Sequence, residues 1–163
     1  MGTPARKTDR DAGYRRILWP TDFSPLSKAA VPHAVKLAAG REAELIVLHV
    51  LSPVAVYVPP AAAAVAWDRF DKEMRAASEE QLRRVTEEVT GAARGVRVRS
   101  LLVVGSPFDQ IPRVAKRQRC DLIVLATHGR TGLGHLFMGS VAENVVRRAP
   151  CPVLTVRPSR AKR

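Results

Sequence analysis

Cysteine is nearly missing from this chain: Cys120 and Cys151 are the only two. Widely spaced thiols of that number are no disulfide framework, and they read as small buried hydrophobes or as a thiol pair if their strands are neighbours. Long apolar runs are missing too. None approaches the roughly 18–20 residues a membrane-spanning helix needs, so no membrane partner is expected. The opening MGTPARKTDRDAGYRR lacks the apolar core of a secretory signal, and a cytoplasmic location is expected. Acid is scarce: 15 Asp and Glu stand against 27 Lys and Arg, a net +12. Residues 1–16 and 157–163 supply 7 of those 12 charges, which reads as solvated, disordered basic tails over 1–14 and 158–163 around one domain at 15–157. Aromatics do not alternate with the basic residues of the tails, so stacking on single strands is not provided and no nucleic-acid partner is expected.

Familiar catalytic signatures are absent as well. Four histidines and two cysteines lack metal-ligand spacing, so no metal ligands are assigned. Gly134-x4-Gly139-Ser140 begins like a phosphate loop but lacks its lysine, and Phe137 stands where Gly-x-Gly-x-x-Gly needs glycine. No Gly-x-Ser-x-Gly elbow occurs. No His or carboxylate is placed as a general base beside the glycines, so no catalytic residue is assigned.

What is present alternates. Largely apolar runs at 17–19, 44–50, 96–104, 122–126 and 152–156 read as strands. Helical patterns lie between them. Ser24 caps and Pro25 opens the first, which is expected to run to about Ala39 with Gly40 as its stop and a kink at Pro32. A long helix is expected from about Ala63 to Thr90, with Trp67, Phe70, Met74, Ala77, Leu82, Val85 and Val89 on its core face. Ser106 and Asp109 read as the cap of a shorter helix that holds Pro112. Five strands alternating with four helices predict an α/β domain. It is a doubly wound five-stranded parallel sheet, order 3-2-1-4-5, with helices on both faces. Val96–Arg99 alternates and belongs near a sheet edge.

The most informative stretch is DLIVLATHGRTGLGHLFMGSVAENVVRRAPCPVLTV, residues 121–156. A strand leads into glycines 129, 132, 134 and 139. Ser140 and Glu143 then read as a capping box that opens a helix, and Pro150 ends it. Backbone amides and a positive helix end aimed at one point suit a phosphate. In a sheet of the predicted order, ligands bind at the carboxyl ends of the strands where the order reverses. The loops meeting there are Pro20–Phe23 and Thr127–Ser140. Asp22 can hold a ribose hydroxyl or approach a base edge, or it can cap its own turn. His128 can touch the ligand or anchor the loop.

ILWPTDFS near the start, with Ala126-Thr127-His128-Gly129, nine residues, and Gly139-Ser140, resembles the universal stress protein family. Its nucleotide-binding members carry Gly-x2-Gly-x9-Gly-[Ser/Thr], and this chain has Ala126 at the first glycine. The resemblance implies a Rossmann-like fold of the adenine nucleotide alpha hydrolase-like kind. It implies a regulatory site for ATP, with Mg²⁺ or Mn²⁺ and little or no hydrolysis. Base and ribose contacts are implied at Pro20, Thr21, Asp22 and the backbone of Val50. Ala126 and His128 are placed beside the ribose and phosphates, and phosphate contacts are implied at Gly129, Arg130, Gly139, Ser140 and Val141. A homodimer through the last strand, Cys151–Arg157, is also implied. The alternative is a nucleotide-free stress-response interaction module of the same fold, acting through protein or nucleic-acid contacts.

Overall fold

The structure, a computed structural model, describes residues 13–39, 42–53, 63–127 and 139–157, with 63–68 by backbone only. The expected tails, the Gly40 stop, and His128, Gly129 and Arg130 lie outside the described residues. Five parallel strands form one sheet: β1 (Arg16–Thr21), β2 (Glu44–Leu51), β3 (Arg97–Val104), β4 (Leu122–Ala126) and β5 (Val153–Val156). Their order is β3-β2-β1-β4-β5, as the alternation predicts. The helices are α1 (Pro25–Lys28), α2 (Val31–Ala38), α3 (Ala63–Ala92), α4 (Pro107–Arg117) and α5 (Ser140–Arg148).

Each central strand buries both faces, because helices cover the sheet on both sides. Ile17, Trp19, Leu45, Val47, Leu122 and Val124 pack towards α2 and α3. Leu18, Ile46, Leu48, Ile123 and Leu125 pack towards α4 and α5. β3 lies at one edge and is only partly buried along its length.

Three local expectations are corrected. The first helix is not one kinked helix but two. α1 stops at Lys28, Ala29 and Ala30 tighten into i→i−3 bonds, and α2 restarts with Pro32 in its first turn. Pro32 has no N–H for the Lys28 carbonyl, and starting a new helix there removes the conflict. The two Ser-x-x-acid caps are not made. Ser140 is already the first helical residue and Gly139 is the cap position. Glu143 pairs with Arg147 at 3.0 Å instead of reaching back. Ser106 occupies its cap position without a side-chain bond, while the Asp109 carboxylate accepts from Arg148 at 2.8 Å. Finally, the apolar stripe of α3 is not core throughout: the Trp67 side chain lies outside the described residues, and of the others only the C-terminal part is buried. Leu82, Val85 and Val89 are buried, Phe70 is half-buried, and Met74 and Ala77 are exposed. A 30-residue helix is about 45 Å long and outruns strands of about 27 Å.

Cys120 is buried and Cys151 half-buried, and both thiols are free. They pack into the same core on the α4–α5 side, so the expected proximity holds. Burial pushes the Cys120 thiol up to about 12, with the neighbouring Cys151 adding to it. A thiol whose ionisation is raised by folding favours the fold below its unfolded value of about 8.5, and that contribution is lost as pH rises towards the folded value. Urea unfolding is therefore expected to give a midpoint that holds to about pH 8.5 and falls above it. Cys120→Ala should flatten part of that fall; an unchanged slope would refute the assignment.

Candidate functional site

Between the carboxyl ends of β1, β2 and β4 lies a cleft of about 400 Å³, within the usual range of small-molecule sites. It opens where the strand order reverses between β1 and β4. Its floor is apolar, with Leu48, Val50, Ile111 and Ala126. Pro20, Thr21 and Asp22 bound one side, and Gly139, Ser140 and Val141 bound the other. Every expected site residue within the described segments therefore lines one cleft.

The first wall is the β1–α1 loop, and a buried polar network holds it. Thr21 Oγ1 accepts from the Phe23 N–H at 3.0 Å and is hydrogen-bonded to Ser27 Oγ at 2.9 Å. Ser27 Oγ donates to the Ser24 carbonyl at 2.9 Å, and the Trp19 indole N–H donates to the Ser27 carbonyl at 3.2 Å. Asp22 Oδ1 accepts from the Ser24 N–H at 3.0 Å. The carboxylate thus caps its own turn with one oxygen and also lines the cleft.

Phe23 holds a left-handed backbone at φ 67, a conformation that costs a bulky residue about 1–3 kcal/mol. Its ring stacks on His49 with centroids 4.0 Å apart. His49 stands level with Thr21 across the β1–β2 ladder, and its Nδ1 lies 2.8 Å from the Thr21 carbonyl oxygen. This buried histidine braces the loop from below, and it is not among the residues expected at the site. A lone histidine in an otherwise apolar strand was the available signal. Ser27, Ser52, Thr127 and Ala142 also line the cleft unassigned.

The second wall is the start of α5. Gly139 N–H donates to the Thr127 carbonyl at 2.8 Å, and Thr127 N–H to that of Val156 at 2.9 Å. Thr127 and Gly139 are thereby tied together beside the cleft. No side chain among the described residues caps α5. The N–H groups of Ser140, Val141 and Ala142 have no backbone partner among the described residues, and these same residues line the cleft. Uncapped donors at a helix's positive end are what an anion needs.

The sequence profile of the universal stress protein family matches residues 13–157. The chain belongs to this family. A universal stress protein of Methanocaldococcus jannaschii is 33% identical over 144 residues, covering 88% of this chain and 82% of that one. The solved structure of a universal stress protein from Lactobacillus plantarum is 31% identical, covers 90% of this chain and 99% of that one, and superposes with a TM-score of 0.75. Another solved universal stress protein, described as a complex with cAMP, is 28% identical, covers 90% and 99% of the two chains, and superposes with a TM-score of 0.63. The universal stress protein fold here puts this cleft at the sheet's reversal point. No helix among the described residues is long and apolar enough to cross a membrane.

Proposed function

We propose that this universal stress protein binds an adenine nucleotide, ATP, as a regulatory state in a stress response, with little or no hydrolysis. One observation carries the reading. The Asp22 carboxylate and the uncapped start of α5 line opposite sides of one cleft with an apolar floor. The floor suits a base, the acid suits ribose hydroxyls, and the helix end suits phosphates. Pro20, Thr21, Asp22 and the Val50 backbone would hold the nucleoside. Gly139, Ser140 and Val141 would hold the phosphates, with His128, Gly129 and Arg130 from the adjoining segment. The solved relative with cAMP supports an adenine nucleotide. Mg²⁺ or Mn²⁺ would arrive on the triphosphate; the described residues hold no group of three or more His, Cys, Asp or Glu that could seat it alone.

Two side chains beside the cleft that could act as bases also hold the β1–α1 loop. His49 Nδ1 is engaged by the Thr21 carbonyl and its ring lies against Phe23. One Asp22 oxygen accepts from Ser24. Equilibrium titration with ATP, and mass spectrometry of nucleotide that co-purifies, test the reading. Absence of both binding and co-purified nucleotide would leave the interaction-module alternative.

Ala126 is buried at the end of β4 and lines the cleft. Its methyl occupies space that the family pattern leaves to glycine. Ala126→Gly is expected to tighten ATP binding a few-fold while costing about 0.5–1 kcal/mol of stability for glycine in a strand. Weaker binding in that titration would contradict the placement of the ribose.

The homodimer is proposed through the outer edge of β5. The Pro152 and Val156 carbonyls accept from Ile123 and Thr127 of the β4 side. Alternate residues of a strand face opposite neighbours, so Val153 and Thr155 turn their backbone groups outward. An unpaired apolar edge invites a second strand. Thr155→Pro removes an outward donor without breaking the β4 ladder. It is expected to convert a dimer to monomer in sedimentation velocity with the fold intact; a monomeric parent would end the proposal.

A further inference from the structure

At the opposite pole, where the strands begin, a second hollow of about 520 Å³ opens. Charged residues form a row across its floor. Arg97 on β3 and Arg16 on β1 both stand level with Glu44 on β2, and Asp121 precedes β4. Backbone bonds fasten the row: Glu44 N–H donates to the Arg15 carbonyl at 2.8 Å and Asp121 N–H to that of Arg16 at 3.0 Å.

Two acids of the row are already engaged. Glu44 takes Arg16 Nε at 3.3 Å on one oxygen and Arg99 Nε at 2.9 Å on the other. Asp121 takes the backbone N–H groups of Arg15 and Arg16 at 2.8 and 3.0 Å. The side chains of Arg15, Arg97 and Arg119 border the same hollow, are exposed, and have no carboxylate within ion-pair distance among the described residues. Glu42 is the further acid lining it. Arg119 is set at the rim by a left-handed turn at φ 53, fastened by the Cys120 N–H to the Ala115 carbonyl at 2.8 Å.

Strands about 4.8 Å apart put the ends of this four-strand row about 14 Å from each other. Guanidinium forks match phosphate oxygens and hold their charge at any working pH. Several forks around one polar hollow select an anion with two or more charges close together, not a single carboxylate. We propose that this hollow binds a compact phosphate-chain anion, a diphosphate or longer, either free or as the end of a small molecule. The site is separate from the cleft and does not depend on the function proposed for it.

The test is a titration of the full chain with inorganic pyrophosphate, followed by backbone amide NMR shifts, with methyl diphosphate as a second arm. Saturable shifts at Arg16, Arg97, Arg119 and Asp121 are expected. Arg97→Ser/Arg119→Ser should weaken that binding on the order of tenfold or more, since charged hydrogen bonds are lost. Arg113→Ser/Lys116→Ser, the same charge change on the exposed side of α4, should leave it unchanged. Tighter binding of either probe names the source of the anion. Shifts confined to residues 139–142, or equal weakening by both double variants, would overturn the proposal. Shifts at residues 139–142 report on the cleft alone, so the two readings fail separately.

Discussion

Gly139→Val is expected to weaken ATP binding by about a hundredfold or more, equivalent to roughly 2.8 kcal/mol at 1.4 kcal/mol per decade. Gly139 sits at φ −59 and ψ 146, an extended conformation that valine adopts without strain. On the proposed reading the glycine serves space, since its backbone needs no special conformation. A branched side chain there stands at the cleft wall beside the uncapped amides of α5 and keeps phosphate oxygens from reaching them. Each such charge-assisted bond is worth roughly 1.5–3 kcal/mol, so losing one or two gives the stated effect. The Gly139 N–H still bonds to the Thr127 carbonyl, so the melting temperature should shift by only a few degrees. Equal ATP affinity in the two proteins would remove the phosphate seat from α5.

Trp19→Ala is expected to give the largest loss of stability, about 3–5 kcal/mol, as for other buried aromatics truncated to alanine. Trp19 is fully buried in the core between the sheet and α2–α3. Its indole N–H also satisfies the Ser27 carbonyl. The loss is a large share of a typical 5–15 kcal/mol and should lower the melting temperature by about 10 °C or more. Trp19→Phe keeps most of the packing and loses the hydrogen bond, so it should cost about 1–3 kcal/mol. Denaturant midpoints at unchanged slope measure both. Trp19 ties β1 to α1 through Ser27, so the alanine variant should also loosen the Thr21–Asp22 wall. A Trp19→Ala loss below about 1 kcal/mol would contradict the packing argument.

Much of the fold is legible because periodicity reports burial. Leu45–Leu48 is apolar on both faces because both faces are covered, and Val96–Arg99 alternates because β3 is an edge. The failures have equally physical causes. Ser140 and Glu143 match a capping box, but a helix can begin at the serine, and Arg147 competes for the glutamate. The α3 stripe has the right period along its length, but period says nothing of where the sheet ends. His49 was passed over because its role depends on a cross-strand partner, Thr21, 28 residues away.

Sequence alone determined the kind of fold, the strand order and the two loops that could share a ligand, because each rests on local pattern and on the handedness of parallel crossovers. Tertiary structure decided which side chains meet. The brace of His49 under Phe23, the meeting of Asp22 with the start of α5 at one cleft, and the arginines at the far pole all come from residues distant in the chain. No local pattern encodes such meetings; the register of neighbouring strands does.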